Sequence, residues 1–264
     1  MTATNAKHRI ANAEEWLQER LELLEAEKAL TRQRDEISRR RRELPWVPVE
    51  KDYLFEGPRG KQTLGDLFAG RGQLLVYHFM LGPGWEEGCK SCSFVADHFE
   101  GSLIHLAHRD VTLTAISRAP YPQIQAFQKR MGWRFPWVSS NGTEFNRDFH
   151  VSFTPEELAQ GEVQYNYGRR KFGATEAPGV SAFLQDGGRI FHTYSAYGRG
   201  LDHLIGAYNW LDLAPKGRDE DGLAFTMSWV RHHDKYEGGY AVDAAAGYQP
   251  PKVVEAKCCS GENS

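Results

Sequence analysis

Two cysteines, two residues apart, sit where a buried strand gives way to a helix, and no other feature of the chain constrains its fold as much. The run Gln73 to Met80 is apolar enough for an interior strand, and the loop after it ends in Gly88-Cys89-Lys90-Ser91-Cys92-Ser93. A helical pattern follows from about Lys90 to Ala107. For the two sulfurs to meet, the pair must occupy the first turn of that helix, so strand, dithiol and helix form one unit. The alternation then continues with a strand over Val111 to Ser117, a helix over Tyr121 to Met131 and a short strand over Trp137 to Ser139. Strands alternating with helices predict a parallel core to the sheet. With 264 residues, 41% of them apolar, the chain can bury such a core.

The segments around this unit have simpler signals. Ile10 to Glu43 contains neither Gly nor Pro and predicts one long helix, ended by Pro45 and Pro48. Its first half carries Glu14, Glu15, Glu19, Glu22, Glu25 and Glu27, and its second half Lys28, Arg32, Arg34 and the run Arg39 to Arg42. That order complements the helix dipole. Trp16, Leu23, Leu30, Ile37 and Leu44 recur every seven residues, while Arg20, Glu27 and Arg34 occupy the places that would complete a coiled-coil seam. A single stripe of this kind docks on its own domain or on a second subunit, so the helix reads as an arm and a route to a homo-oligomer. Lys51 to Glu56 and Lys61 to Leu64 flank the turn Gly57-Pro58-Arg59-Gly60, with a short helix over Gly65 to Phe68. Ser140 to Thr175 reads as irregular, with short strands at Phe149 to Phe153 and Val163 to Tyr167. Val180 to Leu184 and Arg189 to Tyr194 form a hairpin about Asp186-Gly187-Gly188, followed by a helix over Leu201 to Leu211 and a further one over Phe225 to His233. The expected organisation is an arm (1–45), an α/β domain (46–237) and a mobile tail (238–264) carrying Cys258 and Cys259.

The charges nearly cancel, 32 Lys and Arg against 35 Asp and Glu, which gives no electrostatic reason to expect nucleic acid. No apolar run is long enough for a membrane span and the first residues lack a signal-peptide core, so a cytoplasmic location is expected and no membrane partner. Four cysteines are too few for a disulfide scaffold in a chain of this length. In a reducing compartment the pair Cys89 and Cys92 points to chemistry. Backbone N–H groups of the first helical turn favour a thiolate on Cys89, and Lys90 adds positive charge, so Cys89 is the expected nucleophile and Cys92 the resolving thiol. The alternatives are a structural zinc half-site, which needs a second ligand pair when only Cys258 and Cys259 remain, and a buried pair that packs as small hydrophobes without chemistry. No metal is expected.

Other residues join the candidate site. Asp97 and His98 follow the cysteines by one to two turns and offer proton transfer, or else serve as ordinary helix residues. Arg118 ends a parallel strand at the edge where open α/β sheets bind ligands, or pairs with Asp110 or Glu100. Trp85 and Ser93 line the site, and Tyr77, Phe94, Trp133 and Trp137 wall the dithiol or fill the core. His105 and His108 read as structural, and His232-His233-Asp234 is set aside because consecutive side chains diverge on a helix.

The motifs Gly60-Lys61-Gln62-Thr63-Leu64-Gly65-Asp66-Leu67-Phe68, Val76-Tyr77-His78-Phe79-Met80, Gly88-Cys89 and Ile116-Ser117-Arg118, in this order, resemble peroxiredoxin-type members of the thioredoxin-like superfamily. Longer words, among them Arg42-Glu43-Leu44-Pro45-Trp46, Arg130-Met131-Gly132-Trp133, Phe191-His192-Thr193-Tyr194-Ser195 and His233-Asp234-Lys235-Tyr236, resemble a thioredoxin-like bacterial family of unknown function labelled predicted dithiol-disulfide oxidoreductases. The resemblance implies an α/β, thioredoxin-like fold of peroxiredoxin type: a mixed sheet flanked by helices, with the long N-terminal helix as an added arm. It further implies disulfide exchange through Cys89 and Cys92 without a bound organic cofactor, using a disulfide-containing substrate and a thiol electron donor. Two departures bear on the detail. Peroxiredoxins carry Thr or Ser three residues before the peroxidatic cysteine, where this chain has Glu86, so efficient peroxide reduction is not expected. Thioredoxins place a cis-proline directly before the final hairpin, and the matching Pro178 falls one residue early if that strand begins at Val180. The alternatives are a thiol peroxidase and a catalytically silent binding module of the same fold.

Overall fold

The computed structural model describes residues 8–236 and, past them, a backbone ladder between Val242–Asp243 and Gly247–Tyr248. Apart from that ladder, the expected tail and its Cys258 and Cys259 lie outside the described residues. The chain divides after Pro45 into two units. The first is the helix α1, Ala13–Arg42, begun by Asn12, whose side chain accepts from the Glu15 N–H. It is acidic in its first turn and basic in its last, and none of its residues is buried. Trp16, Leu23, Leu30 and Ile37 of the seven-residue stripe are all exposed.

The second unit is built on an eight-stranded sheet. Its elements are β1 (Val47–Pro48), the hairpin β2 (Leu54–Gly57) and β3 (Gly60–Thr63), α2 (Leu64–Leu67), β4 (Gln73–His78), α3 (Lys90–Ala96), α4 (Glu100–Ala107), β5 (Val111–Ser117), α5 (Tyr121–Arg130) and β6 (Trp137–Ser139). Short helices α6 (Phe145–Asp148) and α7 (Pro155–Ala159) lead to the small hairpin β7 (Val163–Tyr165) and β8 (Gly168–Arg170). The long hairpin β9 (Gly179–Asp186) and β10 (Arg189–Tyr197) follows, then a 3-10 segment Gly198–Leu204 and α8 (Gly206–Leu211). Strand order is β1-β10-β9-β4-β5-β6-β2-β3. β4, β5 and β6 are parallel, as the alternation predicts, and β9 and β10 add antiparallel. The fold is a mixed sheet flanked by helices.

Side-chain alternation along β4 sorts the two faces. Tyr77 and, just beyond the strand, Phe79 enter the layer that holds Cys92, Val95, Ile124, Phe127 and Trp137. Leu74 and Val76 enter the opposite layer with Phe55, Ile116, Phe145 and Phe183. His78 faces that second layer, stacked on Phe149. Its Nε2 starts a buried chain of 2.8 Å hydrogen bonds through Ser181 and Ser195 to His192 Nε2.

Four expected elements differ. The helix after the cysteines breaks between Ala96 and Glu100, where His98 and Phe99 N–H groups bond three residues back and tighten the turn. The strand expected at Phe149 to Phe153 is a single bridge, Ser152 to Glu176. The helix at Leu201 to Leu211 is a 3-10 segment followed by α8, and Phe225 to His233 is irregular because its Met227 N–H and Trp229 indole are held by the Glu220 carboxylate instead. The β9–β10 and β7–β8 hairpins each turn on two residues of positive φ, Gly187-Gly188 as glycine permits and Asn166-Tyr167 at 50° and 62°. Among the described residues no helix is long and apolar enough to cross a membrane.

Candidate active site

The dithiol is placed by a loop that leaves β4 and returns to it. The Phe79 N–H donates to Ile116 O at 2.9 Å, prolonging the parallel ladder, and the Cys89 N–H donates to Met80 O at 2.9 Å, closing the loop. Gly88 must be glycine: a Cβ there would lie 2.6 Å from the Phe127 ring and 2.7 Å from Phe79. Cys89 is the N-cap of α3, its carbonyl accepting from both the N–H and the hydroxyl of Ser93 at 2.9 Å.

The environments of the two thiols are opposite. Cys89 is half-buried and Cys92 fully buried, and both are free thiols. The Cys89 sulfur receives hydrogen bonds from the Cys92 thiol, from the Cys92 and Ser91 N–H groups and from the Ser91 hydroxyl, which outweigh burial and lower its pKa to about 6. Cys92 is held well above the ordinary thiol value, first by burial and then by the adjacent Cys89. The Tyr77 hydroxyl and the Met80 N–H are the groups that favour its thiolate. Tyr77 is itself buried, and its hydroxyl makes no hydrogen bond of good geometry among the described residues.

A segment far along the chain fastens this loop. His232 Nε2 lies 2.8 Å from Gly88 O, and Lys235 pairs with Glu87. His233 Nδ1 meets Asp97 Oδ1 at 2.6 Å, and Asp234 accepts from Arg130 at 2.8 Å, with Arg130 also bonded to Glu87 at 2.7 Å. The side chains of His232, His233 and Asp234 do diverge, as expected of neighbours, and for that reason each holds a different part of the dithiol's surroundings. The sequence signal was the motif itself; its partners lie more than a hundred residues away and leave no local trace.

Beside the cysteines is a cavity of about 320 Å³, lined by Tyr77, Met80, Cys89, Cys92 and Pro178 together with residues from 198–227.

The chain matches, over residues 5–236, the family described as bacterial protein of unknown function (DUF899). It belongs to that family. Among curated proteins none matches. Solved structures similar to this DUF899 chain include a cysteine-to-serine mutant of peroxiredoxin Q from Xanthomonas campestris, with 14% identity, TM-score 0.41, and coverage of 61% of this chain and 90% of that one. Peroxidoxin BcpB from Mycobacterium tuberculosis is 15% identical with TM-score 0.41, covering 61% and 92%. A putative protein disulfide isomerase from Bacteroides thetaiotaomicron is 17% identical with TM-score 0.35, covering 63% and 91%.

The structure distributes the other expected site residues of this DUF899 protein unevenly. Pro178 directly precedes β9, which starts at Gly179, and lines the cavity. No described peptide bond is cis, and the Pro178 carbonyl already accepts from Tyr165 Oη at 2.8 Å, so it does not offer a thioredoxin-style backbone contact. Lys90 places its Nζ 3.4 Å from Ser228 O, and the groups that lower the Cys89 pKa are the donors of Cys92 and Ser91. Ser93 is buried on the Cys89 carbonyl. Trp85 packs at the loop, its carbonyl accepting from Gln123 at 2.5 Å. Arg118 pairs with the buried Glu176 at 2.7 Å rather than with Asp110 or Glu100, and Glu176 also accepts from Ser152. His98 has both ring nitrogens in backbone contacts, Nδ1 with Phe94 O and Nε2 with Ala207 N, which leaves neither for a proton relay. Asp97 Oδ1 is taken by Trp133 and His233. Of the aromatics, Tyr77 lines the cavity, while Phe94, Trp133 and Trp137 are core. No group of three or more His, Cys, Asp or Glu converges on one point among the described residues.

Proposed function

We propose that the protein is a dithiol-disulfide oxidoreductase acting through Cys89 and Cys92. The observation that carries this reading is the opposition of the two thiols: one sulfur is held as a thiolate by four donors around it, and its neighbour is buried and protonated. The Cys89 thiolate attacks a disulfide R–S–S–R′, forming Cys89–S–S–R and expelling R′–S⁻, which takes up a proton. Once Cys89 is bonded its negative charge is gone, and with it the main neighbour holding the Cys92 proton in place. Cys92 then loses its proton and attacks the Cys89 sulfur, releasing R–S⁻ and leaving a Cys89–Cys92 disulfide. Two electrons have passed to the substrate, and a thiol donor restores the dithiol. The electrons travel in sulfur–sulfur bonds, so no organic cofactor is required.

The reading places the protein in the reducing cytoplasm, where such a dithiol stays reduced. A second copy of the chain is the partner we assign to α1, because an acidic first half and a basic second half become complementary when two such helices run antiparallel along their exposed stripes. The exchange reading is tested by presenting reduced Cys92→Ser protein with several disulfides and measuring intact mass. A stable adduct on Cys89 is expected, and Cys89→Ser should form none. Rapid, saturable consumption of hydrogen peroxide by the wild type would instead move the protein to the peroxidase class, against the carboxylate of Glu86 where peroxiredoxins hold a hydroxyl.

A further inference from the structure

We infer that the cavity beside the dithiol takes an uncharged, low-molecular-weight disulfide rather than a protein disulfide, a substrate class that rests on the exchange reading above. The cavity, at about 320 Å³, lies at the small end of small-molecule sites, which span roughly 300–1,000 Å³. Around the sulfurs its lining is mostly apolar, with Ser91 beside Cys89 and the buried Tyr77 hydroxyl beside Cys92; that hydroxyl makes no hydrogen bond of good geometry among the described residues and can donate to an incoming or departing sulfur.

The lining contributed by 198–227 is a tied segment. After β10 the chain runs through the 3-10 segment and α8 into a loop that Glu220 gathers, accepting from Tyr208 Oη at 2.7 Å, Trp229 Nε1 at 2.6 Å and the Met227 N–H at 3.0 Å. Arg218 lies 3.9 Å over the Tyr208 ring and bonds Asp212 at 2.7 Å. A folded protein substrate would have to bring its disulfide into this small, tied space to reach a half-buried Cys89, whereas a small molecule enters it as it stands.

Charge narrows the class further. Besides the Cys89 thiolate, the ionised side chains lining the cavity are Arg199, Asp202, Arg218 and Glu220, and these four are matched to partners: Arg199 to Asp202 at 3.0 Å, Arg218 to Asp202 at 3.4 Å, and Glu220 to its three donors. A ligand carboxylate buried here would find no uncommitted cation among them, and burying a charge without one is costly. Oxidised glutathione, which carries several charges, fits poorly on that ground, and an amide-capped alkyl disulfide fits well.

The test uses the full-length reduced protein and two neutral probes with charged counterparts. Octanamide, which has no sulfur, should slow iodoacetamide alkylation of Cys89 saturably, and octanoate should be weaker by about tenfold or more. Lipoamide should oxidise the dithiol to the Cys89–Cys92 disulfide with a rate that saturates, with dihydrolipoamide as the product. Oxidised glutathione and insulin should react more slowly and without saturation. Thr226→Trp, an exposed position on the cavity wall, should raise the half-saturating lipoamide concentration by about tenfold while the protein keeps its melting temperature. Absence of octanamide protection, equal protection by octanoate, or insulin reacting as fast as lipoamide overturns the inference while leaving disulfide exchange intact. Octanamide protection with no oxidation of the dithiol by any disulfide overturns the exchange reading itself.

Discussion

Replacing Cys92 with alanine should raise the Cys89 pKa from about 6 toward 7, and the size of that change follows from what holds the thiolate. The Cys92 thiol is its strongest single donor; the N–H groups of residues 91 and 92 and the Ser91 hydroxyl remain in the variant. A hydrogen bond to a charged acceptor contributes about 1.5–3 kcal/mol, and a thiol is a weak donor, so the lower figure applies. At about 1.4 kcal/mol per pKa unit the loss is roughly one unit. At pH 7 the thiolate fraction then falls from about 90% to about 50%, and alkylation at low pH slows by about tenfold. The assay is the iodoacetamide rate against pH on reduced wild type, Cys92→Ala and Cys92→Ser, the serine variant keeping a hydroxyl donor and a midpoint within about half a unit of wild type. A midpoint unmoved in Cys92→Ala, or a wild-type midpoint near the roughly 8.5 of a free cysteine, would refute the reasoning.

Three further outcomes follow from other parts of the fold. His78 is buried and its pKa is lowered to about 3, so the native state holds fewer protons than the unfolded state between that value and about 6.5; its contribution to stability is complete above pH 6.5 and drains as pH falls, with a slope of up to about 1.4 kcal/mol per unit. Urea melts of wild type and His78→Gln across pH 4 to 7 should show that slope in the wild type and lose it in the variant, and equal slopes would contradict it. Arg118→Met leaves the buried Glu176 carboxylate without its cation and should cost about 3 kcal/mol in urea unfolding at neutral pH, where a loss below about 1 kcal/mol would mean the pair is not needed. Leu30→Glu, in the middle of the α1 stripe, should convert a dimer into a monomer in light scattering, and a monomeric wild type would remove the second copy from the account.

How much of this was legible in the sequence depended on the range of the interaction. Strand, dithiol and helix are contiguous from Gln73 to Ala96, so apolar patterning and cysteine spacing expose them directly. The Gly187-Gly188 turn and the ends of α1 are equally local. The face of Tyr77 was within reach, since alternation along β4 decides it, but whether that face met core or cavity depended on the lining contributed by 198–227. The break after Ala96 was hidden because the Asp97 carboxylate and His98 Nε2 find partners at Trp133, His233 and Ala207, all far along the chain. Arg118 looked like a ligand contact from its place at a strand end; Glu176, which occupies it, lies 58 residues on. Lys90 looked like a charge beside the thiolate from adjacency alone, and its flexible stem carries the ammonium elsewhere.

The central claim, that Cys89 attacks and Cys92 resolves, is tested most directly by sub-stoichiometric alkylation of the reduced wild type at pH 7 followed by peptide mass mapping. The account predicts that the first label falls on Cys89 with Cys92 unmodified, since one sulfur is a thiolate at that pH and the other is a buried thiol. Equal labelling of the two cysteines, or Cys92 modified first, would contradict it.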